Sequence, residues 1–247
     1  MSEVADIHPI HRRVAAWAVH LLTASGVCWG LLALEAVYAG NFRLALGWLG
    51  VALAVDGIDG ALARRLRVAE VVPQIDGSLL DNLVDYLNYV FVPAVLIYRA
   101  GVLPGDLARP AAVAICTVSA FQFAHREAKT ADAFRGFPSY WNVVAAYLLL
   151  LEMPPVWATA WIAGLALLVF VPIRFIYPSR MRRLRKTTLV LALLWVALLA
   201  VAVVRYPNNS RDWARVSLLF PVYYAAGSIV FTSRQRKASV RCPSAGP

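Results

Sequence analysis

Four aspartates carry the chemistry in this chain. Asp56 and Asp59 stand three residues apart and Asp81 and Asp85 four apart, each pair inside an otherwise apolar stretch. On an α-helix the first pair lies about 60° apart and the second about 40°, so each pair shares a face. Gly60 and Ala63 continue the first stripe, and Gly77, Ser78 and Asn88 continue the second. Small residues beside the acids let a ligand or another helix approach the backbone. Leu79, Leu80, Leu83 and Val84 supply the apolar sides, and an antiparallel helix pair would bring the two polar stripes together. An aspartate at the centre of a membrane helix costs roughly 2.5–3.5 kcal/mol to insert, less near an interface. Four such carboxylates also repel one another unless cations neutralise them. Hard divalent ions with oxygen ligands, Mg²⁺ or Mn²⁺, fit this donor set and also bind phosphate oxygens. Ionisable groups inside membranes are functional by default; the bland alternative is interhelical hydrogen bonding. A different class of function, a divalent-cation transporter, would use the same acids as a pathway, but it does not require Gly60, Ala63, Arg64 and Gly77. Asp76, with Ser78, reads as the N-cap of the helix that carries Asp81.

The elements that must position these residues follow from composition. The chain has 247 residues, 60% of them hydrophobic and 15% charged, with a mean hydropathy of +0.63. Soluble domains run near ~45–50% apolar and ~25% charged, and a globule this small cannot hide the excess. A disordered chain and an ordinary soluble enzyme are excluded. The expected fold is all-α: a polytopic bundle of transmembrane helices. Runs of about 20 apolar residues cross a bilayer, and eight candidates occur, near 14–38, 44–65, 78–99, 108–125, 139–152, 155–176, 187–204 and 214–232. The fifth, between Pro138 and Pro154, is the weakest. The domain division is therefore a segment 1–13, a membrane domain 14–232 and a tail 233–247.

Charge sets the expected orientation. With the N-terminus inside, 18 of the 24 Lys and Arg residues fall on cytoplasmic segments and 6 on the outer side. This places both ends, and the cytoplasmic ends of both aspartate-bearing spans, on the inner face. The net charge of +10 is then loop charge facing anionic lipid rather than a nucleic-acid surface. Cys28, Cys116 and Cys242 are scattered, no C-x-x-C pair exists, and the four histidines lack ligand spacing, so zinc and a disulfide framework are not expected.

The order Asp56-x-x-Asp59-Gly60-x-x-Ala63-Arg64, then Gly77-x-x-x-Asp81-x-x-x-Asp85, resembles the signature of the CDP-alcohol phosphatidyltransferases. These are membrane enzymes that move a phosphatidyl or phosphoalcohol group from a cytidine diphosphate donor to an alcohol. Twelve residues, 65 to 76, separate Arg64 from Gly77. This long gap resembles the bacterial phosphatidylcholine synthase branch of the family. So do His20–Gly26 (HLLTASG), Ala128-Lys129-Thr130, Phe134–Asn142 (FRGFPSYWN) and Tyr177-Pro178-Ser179-Arg180.

The resemblance implies CDP-diacylglycerol as donor and choline as acceptor. It further implies two Mg²⁺ or Mn²⁺ ions on Asp56, Asp59, Asp81 and Asp85, and Asp85 as general base. Gly60, Ala63, Arg64 and Gly77 would line the nucleotide site, with helix packing and a topology charge as their simpler roles. A homodimer in the bacterial inner membrane, its active site facing the cytoplasm, completes the expectation. Thr23 and Ser25 could reach the nucleotide, or could bond their own helix backbone. A quaternary ammonium is recognised by aromatic faces, which makes Tyr140 and Trp141, beside Asn142, candidates for the choline site, with Tyr86 and Tyr89 next. Interfacial aromatics are also common belt residues. Serine, glycerol 3-phosphate and inositol are the alternative acceptors within the same chemistry.

Overall fold

The computed structural model describes residues 8–125, 133–171, 173–176 and 185–241. Ala128-Lys129-Thr130, Tyr177-Pro178-Ser179-Arg180 and the tail beyond 241 lie outside the described residues.

Helix α1 (Ile10–Tyr38) turns at Gly40-Asn41 into α2 (Phe42–Leu66), which starts where the Asn41 side chain accepts from Leu44 N–H at 3.1 Å. Arg67, with φ of 51°, ends α2, and the short α3 (Val68–Val71) follows. As expected, Asp76 caps the next helix: its carboxylate accepts from Leu79 N–H at 3.0 Å at the head of α4 (Gly77–Asp85). The expected span at 78–99 is not a single regular helix. After Asp85 it widens into a π turn, Tyr86–Phe91, before α5 (Val92–Arg99). Pro93 has no N–H to donate and its ring crowds the preceding turn, so the ladder widens just ahead of it.

Next come α6 (Gly105–Ala124), α7 (Trp141–Leu150), α8 (Pro155–Leu168), α9 (Arg185–Val204), α10 (Arg211–Ser217) and α11 (Leu219–Arg241). A small antiparallel ladder joins β1 (Ala133–Arg135) to β2 (Arg174–Ile176). Among the described residues, five helices are long and apolar enough to cross a membrane: α1, α2, the α4–π–α5 rod, α6 and α9. The fifth and sixth expected spans are shorter, 10 residues in α7 and 14 in α8. At 1.5 Å per residue neither reaches the ~30 Å of a hydrocarbon core as a straight helix. The last expected span is divided at Leu218 between α10 and α11. Large apolar side chains lie open on the outside, among them Leu21, Leu31, Phe121 and Leu193. Such a surface suits lipid, and the chain is a multi-pass membrane protein.

Helices α1, α2 and α4–π–α5 pack together and create the site. Small residues permit the approach. A Cβ at Gly26 would lie 2.3 Å from Val84 Cγ1, and one at Gly30 would lie 2.5 Å from Asn88 Oδ1. Asn88, buried in the π turn, donates to the Gly26 carbonyl at 3.0 Å and so pins the third span to the first. Gly26→Ala is therefore expected to destabilise the protein by about 1–3 kcal/mol, read as a lower unfolding temperature in detergent. Adding Val84→Ala, which vacates the clashing volume, should recover part of the loss.

Candidate active site

The two aspartate helices meet as the spacing predicts. One carboxylate oxygen from each of Asp56, Asp81 and Asp85 can be chosen so that all three lie within 4.8 Å of one another, and all three residues are half-buried. Asp59 stands apart from this trio but lines the same cavity, together with Thr23 of α1 and Asn88 and Tyr89 of the π turn. It is only 3% exposed, and its Oδ1 has no hydrogen-bond partner. A buried carboxylate oxygen left unpaired costs several kcal/mol unless a cation or donor completes it. An all-oxygen, multiply anionic donor set with such an atom beside it fits a hard divalent cation.

The surroundings sort the remaining expectations. Thr23 reaches the cavity wall, though its hydroxyl also donates to Val19 O at 3.3 Å. Ser25 turns to its own helix, donating to Leu22 O at 2.6 Å, and is not part of that wall. A Cβ at Gly60 would meet only the Arg64 guanidinium, 3.4 Å away, so this face of α2 is open; Ala63 is half-buried and Arg64 exposed. Gly77 faces His20, whose Cε1 would be 3.2 Å from an added Cβ. His20 was not marked as a site residue by its spacing. It is buried, its Nε2 has no hydrogen-bond partner, and Trp17 packs edge-on against its ring. Its place at the start of the HLLTASG segment was the available signal.

The aromatic candidates divide sharply. Tyr89 is buried and its hydroxyl donates to Asp56 Oδ2 at 2.7 Å. Tyr140 packs edge-to-face on Tyr89, with ring centroids 5.8 Å apart. Trp141 does not reach the cavity. It is 0% exposed, its indole N–H donates to Ser119 Oγ at 2.8 Å, and it packs on Phe137. Asn142 is buried at the start of α7, accepting from Val143 N–H. Tyr86 turns away to α6, donating to Cys116 O at 2.9 Å. Sequence adjacency put Tyr140 and Trp141 in one candidate set, but successive residues at a helix start point in different directions.

A buried polar clamp sets the position of Tyr140. The Gln122 amide donates to Phe137 O, Ser139 bonds Gln122 Oε1, and Ser139 Oγ lies 3.0 Å from Ser119 Oγ. Gly136, with φ of +81°, lets the segment pass the Val169 carbonyl, which an added Cβ would meet at 2.1 Å.

A bilayer-suited bundle with an acidic cluster at a small-residue cleft defines a class, and sequence comparison agrees with it. The family model for CDP-alcohol phosphatidyltransferases matches residues 18–173, and the chain belongs to that family. Among its curated relatives are proteins named phosphatidylcholine synthase. That of Legionella pneumophila is 36% identical, covering 88% of this chain and 89% of the relative. The one from Pseudomonas aeruginosa is 38% identical over 89% of this chain and 90% of the relative. The Bradyrhizobium diazoefficiens protein is 44% identical over 75% of this chain and 70% of its own.

Proposed function

We propose that this chain transfers the phosphatidyl group of CDP-diacylglycerol to choline, giving phosphatidylcholine and CMP. The observation that carries the reading is the Asp56–Asp81–Asp85 cluster at an open small-residue face, in a chain similar over most of its length to proteins named phosphatidylcholine synthase. A cation path would need the acids alone. The small residues and Arg64 of the motif favour a bulky anionic ligand instead.

The lipid donor keeps its acyl chains in the bilayer while its diphosphate and nucleotide enter the cavity from the cytoplasmic side. By resemblance Gly60, Ala63 and Gly77 line the nucleotide site, and of these Gly60 stands on an open face; Thr23 offers a hydroxyl to the nucleotide, and Arg64 reaches diphosphate oxygens. Asp56, Asp59, Asp81 and Asp85 would hold the Mg²⁺ or Mn²⁺, two ions by resemblance, which when bound offset the diphosphate charge and the charge building on departing CMP. The choline hydroxyl oxygen bonds to the phosphorus bearing diacylglycerol as the bond from that phosphorus to the CMP oxygen breaks. Asp85 accepts the hydroxyl proton and later passes it to water. An alcohol is a poor acid toward a carboxylate, so this transfer lags until attack is well advanced. Holding the two reactants in line thus contributes most of the rate.

Tyr140, half-buried beside Tyr89, is the aromatic face that choline meets. Loss of a cation–π contact costs about 0.5–2 kcal/mol, so Tyr140→Leu should raise the choline KM by about 2–30-fold while the donor KM stays nearly constant. Trp141→Leu should act through stability instead, because that ring lies in the core. The enzyme works in the bacterial inner membrane as a domain over 14–232, with its site facing the cytoplasm and as a homodimer. Acceptor competition tests the reading: choline should outcompete serine, glycerol 3-phosphate and ethanolamine. Preference for serine would overturn the choline assignment and leave the family chemistry standing.

A further inference from the structure

The wall of the cavity contains a buried phenol aimed at one of the acids. Tyr89 is 4% exposed, and its hydroxyl donates to Asp56 Oδ2 at 2.7 Å. A buried tyrosine hydroxyl needs a partner, and a backbone carbonyl is the ordinary one. Tyr86, three residues earlier in the same π turn, takes that course on Cys116 O. Tyr89 instead spans two helices to reach a carboxylate of the acidic trio. Its bond ties α2, which carries Asp56, to the rod that carries Asp81 and Asp85. The ring is also held by an edge-to-face contact with Tyr140, and Tyr140 follows the segment clamped by Ser119, Gln122 and Ser139.

We propose that Tyr89 is a positioning residue for the divalent-cation site: its hydroxyl fixes the plane of the Asp56 carboxylate so that this acid meets Asp81 and Asp85 as a preformed ligand set. The proposal rests on the metal part of the function proposed above and is independent of the acceptor. Groups that hydrogen-bond a ligating side chain orient it, and their loss typically weakens metal binding about 10–100-fold. The bond is also charge-assisted and stronger than a neutral one. Without it the Asp56 carboxylate loses this restraint against two like-charged neighbours, and a cation must do more of the ordering as it binds.

The test titrates Mn²⁺ into purified protein without either substrate and follows free and bound ion by electron paramagnetic resonance. Tyr89→Phe keeps the ring and its packing on Tyr140, so it should weaken Mn²⁺ binding about tenfold and alter the spectrum of the bound ion. Tyr147→Phe is the control. It deletes another buried tyrosine hydroxyl, shared with Ser217 at 2.8 Å and accepting from the Trp195 indole at 2.9 Å, away from the acids. This variant should lose thermal stability and keep the wild-type Mn²⁺ affinity. Wild-type affinity and spectrum in Tyr89→Phe would overturn the proposal, as would an equal loss of affinity in Tyr147→Phe. A wild-type protein that holds no Mn²⁺ would overturn both this inference and the metal reading. Intact Mn²⁺ binding without transfer to choline would overturn the acceptor reading alone.

Discussion

Asp56→Asn and Asp81→Asn are each expected to remove divalent-cation binding and phosphatidyl transfer together. Both acids offer an oxygen to a set confined within 4.8 Å. At that separation two carboxylates at an effective dielectric of 20 repel by about 3 kcal/mol, so a bound cation offsets a substantial cost. Asparagine matches aspartate in shape but brings no charge and one weak carbonyl ligand. Transfer should fall to background in both variants, and EDTA should do the same to the wild-type protein until Mn²⁺ or Mg²⁺ is restored. Asp59→Asn should follow them, because its buried Oδ1 is left without a hydrogen-bond partner in the protein itself. The check is parallel measurement of Mn²⁺ affinity and of product. Full turnover in EDTA would defeat the metal account.

Asp85→Asn should lower turnover by about 10² or more while changing affinity for the donor less than the other substitutions do. The geometry makes this a demanding test, because Asp85 belongs to the same oxygen cluster as Asp56 and Asp81. Asparagine keeps one carbonyl oxygen for a cation but cannot take a proton, so the base role shows as a fall in turnover larger than the fall in donor affinity. Turnover and donor affinity in Asp85→Asn therefore need to be measured against Asp56→Asn. If the two variants match in both quantities, Asp85 is a ligand and no more.

The aspartate pairs were legible in the chain because a helix imposes its period on any residue type, and spacings of three and four share a face. The cap at Asp76 was legible for a similar reason: a short polar side chain ahead of an apolar run has a local bond to make. What escaped was non-local. The period of α4 continued smoothly past Asp85 on paper, whereas Pro93 widens it into a π turn that holds Tyr89 and Asn88. The inward turn of Trp141 depends on Ser119, 22 residues earlier, and on a left-handed Ser139 with φ of 54°. The ladder between β1 and β2 is three residues long on each side, too short to stand out from its surroundings. Hydropathy also overstated α7. Its 10 residues are buried on nearly every side, and a core helix and a membrane span look alike when every residue is apolar.

Transfer of a phosphatidyl group to choline at the acidic cluster has a mass balance that can be measured. Purified protein would be incubated with CDP-diacylglycerol, isotopically labelled choline and Mn²⁺, and both products quantified. Labelled phosphatidylcholine and CMP should form in equal amounts, and neither product when the metal is chelated. CMP released without phosphatidylcholine, or phosphatidylcholine formed at an undiminished rate in chelator, would contradict it.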